Sequence, residues 1–219
     1  MSTSLHSGRA RLLAAALFAV GLVAPGGDVW CQRAFSKLSA DQTQTLTTSV
    51  RRLAETRDDM PANRQATVRW SEPPGSISSG SGRVIVAVAL IRFSGLANSY
   101  CRLVASDRAA RDAVFVPVPV EANFDGCRKA GPTRIADIDG DGVQDLMFTV
   151  TLQSNRSEAQ VQEVMVFLRK AGTPSGYCYS QDASKLLAPD DLRTADTALA
   201  AGHRALARLG KERFACSKS

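Results

Sequence analysis

From Asp137 the chain reads Asp-Ile-Asp-Gly-Asp-Gly-Val-Gln-Asp, which places carboxylates at relative positions 1, 3, 5 and 9. Four like charges in so short a run repel one another, and an ordinary turn has no use for them. A cation at the centre supplies a physical reason for the spacing. Such a loop must curl tightly enough to aim alternate side chains inward, and Gly142 at position 6 stands where the sharpest turn is needed. The carbonyl of Val143 at position 7 can add an oxygen, and water can complete the shell. Oxygen-only ligation favours a hard ion, and a flexible acidic loop suits calcium better than the strictly octahedral magnesium. The competing reading is a solvated Asp-Gly hairpin turn that holds no ion.

The residues behind the loop decide which kind of loop it is. An EF-hand would need a bidentate Glu at position 12, where this chain has Phe148, and an exiting helix. Instead Leu146, Phe148, Val150 and Leu152 alternate with Met147, Thr149 and Thr151, a period-two pattern that predicts a strand. Val161 to Arg169 repeats it with Val164, Val166 and Leu168, so an antiparallel hairpin is expected, with Tyr177 to Ser180 adding a short strand.

Ala136 to Leu146, followed by Met147-Phe148 and Val164-Met165-Val166-Phe167-Leu168, resembles the FG-GAP or VCBS repeat, the family that includes the calcium loops of integrin alpha-subunit propellers. The resemblance covers about residues 133 to 180. It implies side-chain ligation of calcium by Asp137, Asp139, Asp141 and Asp145 and carbonyl ligation by Val143. A propeller needs several blades, and the sequence holds one acidic loop with no second copy at a fixed period, so a complete propeller is not expected.

Elsewhere, Ser39 and Gln42 stand at capping-box spacing ahead of Leu46, Val50 and Leu53, which predicts a helix over 40–56. Its four threonines weaken intrinsic propensity, so docking must support it. Residues 72–82, rich in Pro, Gly and Ser, read as a loop rather than a packed element. Arg83 to Phe93 is a nearly continuous β-favouring run, expected as a central strand. In 113–122, Pro117 and Pro119 demote an alternating pattern to an edge strand. Pro189 and Asp190 open a C-terminal helix whose narrow apolar face runs Leu192, Ala195, Leu199, Gly202, Leu206 and Leu209. The expected organisation is a helical segment over 27–71, a loop over 72–82, a β-rich core over 83–188 and a helix with tail over 189–219. The expected fold is α+β, a mainly antiparallel sheet flanked by an N-terminal and a C-terminal helix.

Residues 1–26, with Arg9 and Arg11 ahead of the uncharged run Leu12 to Ala24, read as a secretory signal peptide. That run is shorter than the roughly 20 residues a membrane-spanning helix needs, so no stable span is expected after cleavage; an uncleaved anchor is the alternative. Export allows the cysteines to pair, and Cys101 with Cys127 and Cys178 with Cys216 is the expected connectivity, leaving Cys31 odd. Removing 1–26 leaves 25 basic against 21 acidic residues. That excess is mild and dispersed, without the aromatic-interleaved patch that binds nucleic acid.

Catalysis finds little support. Of two histidines, His6 lies in the signal segment and His203 in the C-terminal helix; no nucleophile elbow or phosphate-cradling loop is present. Glu121 and Asp125 could pair with the acidic loop for hydrolysis, but nothing in the sequence sets their geometry. The expectation is an exported, non-enzymatic calcium-binding module, periplasmic or secreted, with a protein or carbohydrate ligand. An inhibitor or immunity-type protein and a calcium-dependent hydrolase are the alternatives.

Overall fold

In a computed structural model of the chain, the described residues are 35–57, 60–61, 63–79, 82–119, 126–153 and 159–217. Residues 1–34, with the expected signal segment and Cys31, and residues 120–125, with Glu121 and Asp125, lie outside them.

Helix α1 (Ala40–Thr56) begins as its sequence dictates. Gln42 N–H donates to Ser39 Oγ and Ser39 N–H to Gln42 Oε1, both at 3.2 Å, closing the capping box. Thr43, Thr45, Thr47 and Thr48 return their hydroxyls to carbonyls four residues back. Thr47 Oγ1 also accepts from Trp70 Nε1 at 3.1 Å, tying the helix to a strand.

The strands are β1 (Phe35–Lys37), β2 (Ala66–Trp70), β3 (Gly75–Ser79), β4 (Gly82–Phe93), β5 (Ser99–Ser106), β6 (Val114–Phe115), β7 (Cys127–Ala130), β8 (Arg134–Ala136), β9 (Asp145–Gln153), β10 (Gln160–Arg169) and β11 (Tyr177–Tyr179). Every pairing is antiparallel. β2 and β3 lie end to end along β4, and β7 and β8 lie end to end along β9. Pro73-Pro74 interrupts the first pair, and Pro132, which follows the last cross-strand bond from Gly131 N–H to the Thr149 carbonyl at 2.8 Å, interrupts the second. The two breaks meet: Thr133 N–H donates to the Glu72 carboxylate at 2.7 Å.

The result is one topology used twice, a broken strand followed by a long strand, a further strand and a short one. β2, β4, β5 and β6 begin at residues 66, 82, 99 and 114, and β7, β9, β10 and β11 at 127, 145, 160 and 177. The spacing is about sixty residues, the scale of a structural repeat. A single residue pair, Ser99 with Cys127, carries β5 over to β7. The Cys101–Cys127 disulfide covers that corner, with Cα atoms 5.7 Å apart.

The apolar pattern explains the layering. Val86 and Val88 of β4, Leu103 of β5, Leu146, Phe148 and Val150 of β9, and Met165 and Phe167 of β10 form one inner cluster to which no helical residue belongs. The two meanders therefore cover each other; within the second, Phe148 stacks on Phe167 at 5.7 Å between ring centroids. The opposite faces are apolar too. Ile85, Ala87, Ala89 and Ile91 pack under Leu46, Val50 and Ala54 of α1. Met147, Val164, Val166 and Leu168 pack under helices α2 (Gln181–Leu186) and α3 (Ala195–Leu209). The sheet is large, antiparallel, flanked by helices and not closed into a barrel.

Several expectations need correction. Residues 72–82 are not a loop throughout, because Gly75–Ser79 is strand β3 and its Ser76 and Ile77 are only 2% and 3% exposed. The glycine there serves packing, since a side chain at Gly75 would run into the Phe35 ring from β1. The segment 27–71 holds β1 and β2 as well as its helix, and 83–188 ends in α2. Among the described residues 113–119 only Val114–Phe115 forms a strand. The C-terminal helix is split into a 3-10 turn, Pro189–Leu192, and α3, because Thr194 starts a new capping box with Thr197. The reset rotates the buried face to Ala198, Ala201, Gly202, Ala205 and Leu206, leaving Leu209 exposed.

Cys178 pairs with Cys216, fastening the tail after α3 to β11. Two disulfides fit a chain that matures in an oxidising compartment. Among the described residues no helix is long and apolar enough to cross a membrane. Because the Cys101–Cys127 bond closes a separation of 26 residues at the corner between the meanders, C101S/C127S should lose about 3.5 kcal/mol in urea unfolding, on the chain-entropy account.

Candidate metal centre

The acidic loop spans the turn from β8 to β9, and its alternation has two consequences. Asp137, Asp139 and Asp145 turn carboxylate oxygens toward a common centre, while Ile138 points the other way. Ile138 is fully buried among Met147, Val164 and the alanines of α3. Burying such a side chain contributes about 2 to 3 kcal/mol, enough to anchor the loop to the helix layer.

Backbone geometry follows the glycines. Gly140 and Gly142 adopt φ values of 70° and 84°, in the left-handed region that side chains avoid. The turn is held by Asp137, whose Oδ1 accepts from Asp141 N–H at 2.9 Å and whose Oδ2 accepts from Gly142 N–H at 2.8 Å. Asp141 Oδ1 accepts from Val143 N–H at 2.8 Å. Asp145 is 2% exposed and joins three segments. It opens β9, its Oδ2 accepts from Ile138 N–H at 3.2 Å, and its Oδ1 accepts from Arg169 N–H on β10 at 2.9 Å.

Ligand oxygens of Asp137, Asp139 and Asp145 lie within 4.8 Å of one another. Asp141 stands outside that set of three, its carboxylate serving the Val143 amide. Asp139 Oδ1 is buried without a hydrogen-bond partner. A buried acceptor left so is costly, and a hard cation is the partner its chemistry fits. Gln144 Oε1 is likewise buried and unpartnered. Sequence reading assigned Gln144 nothing, because loop spacing points at position 9 and not position 8.

The electrostatics agree with the crowding. Burial pushes the Asp139 pKa up, and Asp141 and Asp137 push it further, against the Asp141 amide and Arg213. Burial also pushes Asp145 up to about 8, with Asp139 and Asp141 adding to the effect and the Arg169 and Ile138 amides opposing it.

Helix α3 presses directly on the loop. A methyl group at Gly202 would lie 2.5 Å from the Ile138 carbonyl oxygen and 2.8 Å from its Cβ. His203 is exposed, as expected of a surface helical residue, and its Nε2 stands over Gly140. On the other side Asp141 and Val143 line a cavity of about 830 Å³ between the ends of the two meanders.

Gly202→Ala should cost about 1 to 3 kcal/mol in urea unfolding, because neither the helix nor the Ile138 backbone can give way freely. Asp145 sets a pH dependence. Its carboxyl titrates from an ordinary 3.8 when unfolded and near 8 when folded, so between those values the folded chain holds a proton that the unfolded chain has released. In chelator, stability should be greatest below about pH 4 and fall as the pH rises toward about 8, and Asp145→Asn should flatten that slope. Comparison of the chain with protein-family models, with curated proteins and with solved structures finds no match.

Proposed function

We propose that this chain is an exported calcium-binding module without enzymatic chemistry of its own, periplasmic or secreted, in which the ion orders the loop for stability and for binding a partner. The observation that carries this reading is the convergence of Asp137, Asp139 and Asp145 around an Asp139 oxygen that is buried and unpartnered. Asp141 and the Val143 carbonyl complete the proposed ligand set, as the FG-GAP or VCBS resemblance implies. The order of loop, apolar strand and second, antiparallel strand along the described residues from Asp137 to Arg169 is the order that resemblance implies. Calcium supplies a divalent charge that offsets part of the repulsion among the clustered carboxylates and takes the acceptor capacity their amide donors leave unused.

The chain's own residues supply the rest. Asp137 and Asp141 shape the turn, Ile138 fastens it to α3, and Asp145 ties it to β10. Since the ligands come together only in the folded chain, ion binding adds to folding free energy. A calcium concentration of about 100 times Kd should raise stability by about 2.7 kcal/mol. Asp139→Ala removes the unpartnered acceptor and should abolish the calcium-dependent rise in Tm while the apo protein stays folded. A calcium response that is the same in Asp139→Ala and wild type would refute the assignment.

A further inference from the structure

Strand β10 changes character along its length. Val164 to Leu168 are buried under α2 and α3 or in the inner cluster, whereas residues 159–163 are exposed, Val161 at 55%. The exposed half still pairs with β9, from Gln160 opposite Gln153 to Glu163 opposite Val150. Its other edge is open. Val166 N–H donates to Ser184 Oγ and the Val166 carbonyl accepts from Ser180 N–H, both at 2.9 Å, so the even-numbered residues of β10 turn their backbone away from β9. By that alternation Gln160 and Gln162 present N–H and C=O outward. Among the described residues no segment lies against them, because β11 pairs only with Phe167–Arg169.

An open strand edge is a template for another strand, and proteins ordinarily guard it with proline, lysine, a bulge or a covering element. The other edges of this sheet are guarded. β6 runs toward Pro117 and Pro119, β8 starts behind Pro132, and β1 carries Lys37. β2 carries Arg69 and has its Ala66 N–H held by the Glu55 carboxylate of α1 at 2.8 Å. Gln160-Val161-Gln162-Glu163 has no proline, no cation and an unbroken register with β9. Exposure on both faces also means that neither the facing meander nor a helix obstructs an added strand.

We propose that this edge pairs with the same edge of a second copy of the chain, antiparallel and two-fold about Val161, so that the sheets of two molecules become continuous. The segment is complementary to itself in that register. Gln160 of each copy faces Gln162 of the other, and since both turn their backbone outward, the two pairs exchange four main-chain hydrogen bonds. Val161 meets Val161 in the non-hydrogen-bonded position, where Cα atoms stand about 4.5 Å apart and side chains approach most closely. The Gln160 and Gln162 side chains share the opposite face, where each amide both donates and accepts. Glu163, the single charge of the segment, faces Ala159 and not its own copy. An unrelated strand would gain the main-chain bonds without the Val–Val and amide pairs. Five residues a side are far fewer than the roughly 20 to 30 of a stable interface, so the association is reversible and concentration-dependent. It is independent of the metal reading.

The test is sedimentation velocity on the mature chain carrying Cys31→Ser, in chelator, at concentrations from about 1 to 500 μM. The average mass should climb from monomer toward dimer across that range. Val161→Lys, which sets like charges opposite each other, and Gln162→Pro, which removes an outward amide but no bond to β9, should each raise the dimer Kd at least about tenfold while Tm stays close to that of the parent. Arg208→Glu, on the exposed side of α3, should leave the Kd unchanged. Under a mild oxidant Val161→Cys should form a disulfide-linked dimer, because the two positions face each other at bonding distance, and Glu163→Cys should not. A monomer at every concentration would overturn the second copy as occupant. A dimer as strong in Val161→Lys and Gln162→Pro as in the parent would overturn the edge, and faster crosslinking through Glu163→Cys than through Val161→Cys would overturn the two-fold about Val161.

Discussion

Strands β4, β9 and β10 are apolar on both faces, and the rest of the architecture answers that constraint. A sheet with one wet face needs a single cover, whereas these strands expose two greasy surfaces to be removed from water. Packing the meanders face to face buries Val86, Val88, Phe148 and Phe167 together and leaves one face of each still uncovered. α1 closes the first of these and α2 with α3 the second. Each helix is thus a lid on a particular meander, and the polar bonds from Thr47 to Trp70 and from Arg134 to the Leu192 and Arg193 carbonyls set where the lids sit.

The same constraint reaches the acidic loop. Ile138 is its one apolar member with a fully buried side chain, and it plugs into the layer between β9, β10 and α3. The loop is therefore suspended between a dry side, where Gly202 allows the helix backbone to approach, and a side that opens on the cleft. Asp145 lies at the boundary. Its burial makes its charge expensive, and its two amide donors keep it in place. A cation among these carboxylates relieves the same strain that would otherwise erode the fold as the pH rises.

The repeated topology gives the loop a context. From the end of the first broken strand, β3, to the start of its long strand, β4, the sequence reads Ser79-Gly80-Ser81-Gly82; between β8 and β9 it includes Asp139-Gly140-Asp141-Gly142. The glycines recur while the carboxylates do not. A hydroxyl is a weak ligand for a hard divalent ion, so the carboxylate pattern of the second run has no counterpart in the sequence of the first.

Much of this was legible along the chain. Strands β9 and β10 follow from strict alternation, α1 from Ser39, Gln42 and the apolar spacing behind them, and the loop from carboxylates at alternate positions. All of these are local signals, set by backbone period and by side chains that act on their near neighbours. The two disulfides within 101–216 were also as expected. What could not be read is what depends on partners distant in sequence. β3 is a strand because β1 and β4 flank it, although its Ser and Gly composition reads as loop. The apolar face of α3 is rotated because Thr194 caps a new helix. Asp139 and Asp145 are perturbed because α3, β10 and the tail exclude water from a loop that is all charge in the sequence. The sequence by itself determined which carboxylates are present and how the backbone curls around them. Only the tertiary structure decided which three converge and that a cleft lies beside them, since burial and convergence are properties of packed elements and not of spacing.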